Sequence, residues 1–135
     1  MITEDYVSFK IAKLLKEKGF DEDIARVVNE EGEIDYLGSF QPSLAYLHHT
    51  WYRCPTLQMT MKWLREKHHI DISVVPHSHE EGKPFDYEFE YWNGEEYHTP
   101  YNEKHPTYHE LFGKTWEKYE EACEAGIWYC LKNLI

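Results

Sequence analysis

Three cysteines, Cys54, Cys123 and Cys130, are all that this chain of 135 residues contains. Cys123 and Cys130 fall seven residues apart in a stretch that reads as one helix. A rise of 1.5 Å per residue separates them by roughly 10 Å, beyond the reach of a disulfide, so no disulfide framework is expected. No Cys-x-x-Cys pair and no His-Glu-x-x-His run occurs, which removes the common zinc signatures. None of the seven glycines stands in a GxGxxG or GxxxxGK pattern, so the glycine-rich phosphate loops are missing too. No apolar run approaches 18 residues, and the opening "MITEDYVSFK" lacks the basic-then-apolar pattern of a secretory signal. The expectation is a soluble protein of a reducing cytoplasm, without a membrane partner.

Positive charge is the scarcest resource. Lys and Arg number 14 against 25 Asp and Glu, for a formal net charge of -11. Nucleic-acid binders draw affinity from replacing phosphate counterions with Lys and Arg. Nucleic acid is therefore not an expected partner; a basic protein partner, or simply good solubility, fits the charge.

What is present is apolar and aromatic enough to fold: 41% of residues are hydrophobic and 16% aromatic. The length suits one globular domain over residues 1–135, and no repeat, low-complexity run or Gly/Ser linker divides it. The first segment predicts a helix over about residues 4–18, capped by Thr3, with Glu4 and Asp5 at its positive end and Lys13, Lys16 and Lys18 near its negative end. Val7, Ile11, Leu14 and Leu15 form its apolar stripe, and Gly19 followed by Phe20 is the expected stop. Phe9 points off that stripe, toward a second element or solvent. Two short strands follow, about 24–28 and 33–37, joined by a turn at "NEEG". The stretch "SFQPSLAYLHHTWYRC" has no clean period and reads mostly as loop, with a helical turn at Ser43 to Leu47.

Pro55 and Thr56 open a second helix reaching about Lys67. Leu57, Met61, Leu64 and His68 line one face, with Met59 and Trp63 as a second strip. A strand over 70–75 follows, with Pro76 ending it or holding it at an edge. In "FDYEFEYW", Phe85, Tyr87, Phe89 and Tyr91 alternate with Asp86, Glu88 and Glu90, the period of a strand with aromatics in the core and acids toward water. Asn93-Gly94 is the strongest hairpin signal, with "EEYHTPY" as a short return strand, and residues 101–113 read as a docked surface loop. The last helix carries Trp116, Tyr119, Cys123, Ile127, Cys130, Leu131 and Leu134 on one stripe. Gly126 lies on its packed side, where a missing side chain permits close approach.

The sum predicts an α+β fold: three helices packed on a small, mainly antiparallel sheet of three to five strands. A double-stranded RNA-binding domain shares the order helix, three strands, helix, but its basic helix start is absent here.

Chemistry-bearing residues are weighed in that frame. His77 and His79 at a strand end could gather round zinc, with His48, His49, His68, His69, His98, His105 or His109 completing the set. Without metal-site spacing, solvated loop histidines are the simpler account, and no metal or cofactor is expected. Cys54 before a helix start offers a thiol for a Cys-His enzyme, the alternative to a non-enzymatic reading. Residues 80–96 hold seven carboxylates against Lys83 alone. Asp86, Glu88, Glu90 and Trp92 fall on one side of the alternating strand; a solvated face is the simpler account, and as an interaction surface they are the candidate, with Trp92 as anchor. Self-association through Phe9 and Trp128 is a further expectation.

Three segments, "FKIAKLLKEKGFDE", "CPTLQMTMKWLREKHHIDISV" and "YEEACEAGIWYCLKNLI", together resemble a group of small uncharacterised proteins encoded in prophages and mobile elements of gut Bacteroidetes. They cover about 40% of the chain. Residues 34–53 and 77–115 depart from the group in length and composition. The resemblance implies a phage-related accessory role and carries no catalytic set onto these residues.

Overall fold

Why the first helix begins where it does is decided by a backbone pairing. In the computed structural model, which describes residues 2–37, 51–77, 86–99 and 115–135, Tyr6 forms an antiparallel bridge with Thr56. The Val7 N–H donates to the Pro55 carbonyl and the Leu57 N–H to that of Asp5, which holds this stretch extended. Helix α1 therefore spans Phe9–Glu17 rather than 4–18, and Ser8, not Thr3, caps it, its Oγ accepting from the Ile11 N–H at 3.4 Å. Interstrand hydrogen bonds outweigh the weak local helix preference of Glu4 and Asp5, and no acidic residue stands in the first turn. The other end follows expectation: Gly19 takes φ +90°, the Phe20 N–H bonds the Leu15 carbonyl, and the Gly19 N–H bonds that of Lys16.

The residues fall into two units, Met1–Leu57 and Gln58–Ile135. Three helices and six antiparallel strands are found among those described, an α+β fold. The strands are shared between two sheets of three, where the sequence suggests one sheet of three to five.

In the first unit β1 (Arg26–Val28) lies between β2 (Ile34–Tyr36) and β3 (Tyr52–Arg53). The β1–β2 turn is built by Asn29, whose Oδ1 accepts from the Glu31 and Glu33 amides at 3.1 and 2.9 Å while its Nδ2 donates to the Glu33 carboxylate. β3 falls in a segment read from sequence as loop; two residues are too few for a period. Phe9 finds its second element there, edge-on to Tyr52 with centroids 5.5 Å apart. The helical turn expected at Ser43 to Leu47 lies outside the described residues.

The second unit contains most of α2 (Leu57–His68), then β4 (Asp71–His77), β5 (Asp86–Trp92), β6 (Tyr97–His98) and α3 (Tyr119–Asn133). On α2, Leu57, Met61, Leu64, Thr60 and Trp63 are buried while Met59 is 42% exposed, so the second strip reduces to Trp63. The helix ends through His69, a non-glycine residue at φ 57°, and the Ile70 N–H returns to the Leu64 carbonyl.

β5 is the central strand of the order β4-β5-β6. β4 continues through Pro76 to His77 on the edge of the sheet, so of the two expected roles of Pro76 it holds an edge rather than ending the strand. Register explains the tolerance: Pro76 faces Tyr87, and Tyr87 exchanges both backbone hydrogen bonds with Trp116 on its opposite side. The Pro76–Tyr87 pair is thus a non-hydrogen-bonded one on an edge strand, where a missing N–H costs nothing.

α3 packs on β4 and β5. It starts at Tyr119, so Trp116 joins the core from the strand-like bridge to Tyr87 rather than from a helical stripe, its ring 5.6 Å from that of Phe89. Phe89 and Tyr91 are buried, and Tyr129 of α3 meets both, at 5.9 and 5.8 Å between centroids. The expected stripe leaves Tyr129 out; the buried face is wider than a single row, taking in Ala122 as well, and Gly126 lies on the packed side as expected. A Cβ on Gly126 would lie 3.1 Å from Ile72 Cγ2 and 3.2 Å from Phe89 Cγ, so the absent side chain is what lets α3 sit this close to the sheet. Among the described residues no helix is long and apolar enough to cross a membrane.

Candidate functional site

Alternation in β5 sends its side chains to two faces. Tyr87, Phe89 and Tyr91 turn toward α3; Asp86, Glu88, Glu90 and Trp92 share the other face. The register adds neighbours to that outer face, because directly paired residues point the same way: Asp71 beside Trp92, Ser73 beside Glu90, Val75 beside Glu88, and Tyr97 of β6 beside Trp92. Strand geometry spaces successive carboxylates of β5 by about 6.6 Å. The four residues expected from sequence thus fall in one row, each half-buried rather than fully solvated.

The row has distinct ends. Trp92 meets Tyr97 edge-on with centroids 4.9 Å apart, and Tyr97 is 63% exposed. Asp71, across the strand from Trp92, pairs with Arg65 at 3.8 Å. At the other end Asp86 accepts a hydrogen bond from Thr115 Oγ1 at 3.0 Å. The hairpin beyond Trp92 is fixed by Asn93, whose Oδ1 accepts from the Glu95 and Glu96 amides at 3.0 Å each, which sets Glu95 and Glu96 in solvent beside the aromatic end.

The alternative chemistry finds less support in geometry. Cys54 is 1% exposed and its thiol donates to the Val7 carbonyl at 3.2 Å, the position of a packed core group. Cys123 and Cys130 are buried thiols outside any disulfide, and burial pushes the Cys130 thiol well up from its ordinary range. His77 ends β4, while His79 lies outside the described residues. No group of three or more His, Cys, Asp or Glu is placed to hold a metal ion among the described residues. His68 is half-buried edge-on to Trp63, centroids 4.7 Å apart, and burial, with the neighbouring His69 charge second, lowers its pKa.

Two features escaped the sequence reading. Arg26 lays its guanidinium over the Tyr6 ring at 3.7 Å from the centroid and donates to Tyr36 Oη at 3.0 Å. A cleft of about 250 Å³ opens in the first unit between α1 and the sheet. Its lining comes from residues as far apart as Ala12 and Arg53, too dispersed for any motif to signal. Trp128, expected on an exposed side of α3, is half-buried. Comparison with protein-family models, with curated proteins and with solved structures gives no match.

Proposed function

We propose that this chain is a non-enzymatic interaction module that binds a basic protein segment on the outer face of β4, β5 and β6, in the phage-related accessory setting implied by its resemblance. The observation that carries the reading is the register that lines up Asp86, Glu88, Glu90 and Trp92 beside Asp71 and Tyr97. Carboxylates at strand spacing match basic side chains at alternate positions of an extended partner. Trp92 and Tyr97 offer aromatic area for an anchor and a face for a guanidinium or ammonium group. The charge of -11 steers such a partner toward the protein and repels nucleic acid. A reducing cytoplasm, with Cys54, Cys123 and Cys130 as thiols, is part of the same proposal.

The test is a titration with a labelled extended peptide carrying Lys or Arg at every second position. Glu88→Lys is expected to weaken binding about tenfold or more, and Trp92→Ala about fivefold. Raising the salt concentration should weaken the wild type more than the Glu88→Lys variant. Equal affinity of wild type and both variants rejects the face, and sedimentation in the same samples separates partner binding from self-association.

A further inference from the structure

The cleft of the first unit is independent of the acidic face, and we propose that it binds a small anionic ligand with a flat apolar body, of the aromatic carboxylate class. Its floor is apolar and closed: Ala12, Phe20 and Val27 are at most 7% exposed. Trp51 and Tyr52, both half-buried, supply aromatic walls. Two cations stand over this lining in a protein otherwise dominated by acids. The Lys16 ammonium hangs over the Tyr52 ring, 5.4 Å from its centroid, and makes no ion pair with a carboxylate among the described residues. Arg53 is held by the Glu22 carbonyl at 3.0 Å and Asp23 at 3.1 Å, which fixes its guanidinium at the cleft instead of leaving it to wander.

The combination selects a ligand chemistry. An apolar cleft with few, fixed polar groups is the usual form of a small-molecule site, and a volume of about 250 Å³ limits the occupant to one or two rings. Aromatic walls favour a flat body. Lys16 is exposed with its ammonium over the Tyr52 ring, so a carboxylate of a ligand stacked on that ring can reach it. Asp21, also on the lining, repels a second negative group and accepts from a ring N–H or O–H donor. One anionic group and one donor on a flat body therefore describe the occupant.

Three probes with one ring system and different charge test this: indole-3-acetate, indole-3-acetamide and tryptamine, titrated into the full chain by calorimetry and by amide and methyl chemical shifts. The expected result is saturable binding of indole-3-acetate, at least fivefold tighter than the amide and tighter still than tryptamine, with shifts centred on Ala12, Val27 and Tyr52. Lys16→Gln, an exposed position, should remove the preference for the anion while leaving amide binding unchanged. Ala12→Leu, which fills the floor, should abolish binding of all three. No saturable binding by the anion, an equal affinity for the three probes, or shifts centred elsewhere overturns the proposal. Lys16→Gln retaining the full preference also overturns it.

Discussion

Two antiparallel sheets of three strands, each with a helix, solve the same packing problem in opposite ways. In the second unit, β4 and β5 pair over seven residues, and α3 presses onto them through Gly126, with Phe89, Tyr91 and Tyr129 filling the contact. In the first, no strand among the described residues exceeds three residues, and α1 stands off enough at Ala12 and Lys16 to leave a cleft. Close packing removes water and voids, which favours stability; an unfilled space beside fixed polar groups favours binding. The contrast places the larger aromatic side chains, and with them the costlier single truncations, at the second sheet's inner face. It leaves recognition to the loosely filled cleft and to the outer acidic row.

The sharpest way to break that contrast is to remove the central ring. Phe89→Ala should cost about 3–5 kcal/mol, read as a lower urea midpoint with little change in slope. Ile11→Ala, an equally buried position on α1, should cost less, about 2–4 kcal/mol, because an isoleucine gives up a smaller buried side chain than a phenylalanine. A larger loss from Ile11→Ala would reverse that order. Gly126→Ala sharpens the comparison further. Alanine gains up to about 1 kcal/mol of helix propensity. Its methyl group, however, meets Ile72 and Phe89 at 3.1 to 3.3 Å, both buried and held in a long ladder. Overpacking should win, for a net loss of about 1–2 kcal/mol in the same denaturation experiment.

These particular residues also show what was legible in the sequence. Alternation along β5 is a strictly local signal, so the division between Phe89 and Tyr91 inside and Asp86, Glu88, Glu90 and Trp92 outside could be read without a structure. Gly19 with Phe20 and Asn93 with Gly94 are local for the same reason, since a turn or cap is specified by its own residues. What could not be read depends on partners distant in sequence. The start of α1 is set by Pro55 and Thr56, nearly fifty residues downstream. Trp116 is drawn into a bridge by Tyr87, and β3 exists only because β1 offers it an edge. The cleft is entirely of this second kind. His77 and His79, named as weak metal ligands, bear no described side-chain geometry.

If the first unit relies on turn chemistry rather than on a packed face, its most costly polar substitution should be at the β1–β2 turn. Asn29 is 7% exposed and accepts two backbone amides. Asn29→Ala leaves both without that acceptor and should cost about 1–2 kcal/mol, with faster hydrogen exchange confined to Glu31 and Glu33. A matching change in the second unit, Asn93→Ala, should cost less, because the Asn93 side chain sits in solvent and water replaces its bonds.

The smallest expected effect concerns acid. His68 has a lowered pKa because burial beside Trp63 disfavours its charged form, and the unfolded value is about 6.5. Below that value the unfolded chain binds the proton more readily than the folded one, so stability tied to neutral His68 is complete above pH 6.5 and declines as pH falls toward the lower folded pKa. His68→Gln should therefore flatten the dependence of the urea midpoint on pH below about 6.5 without altering that dependence above about pH 7. An unchanged acid slope would mean that His68 is solvated in both states, and that α2 contributes no closed surface at its C-terminal end.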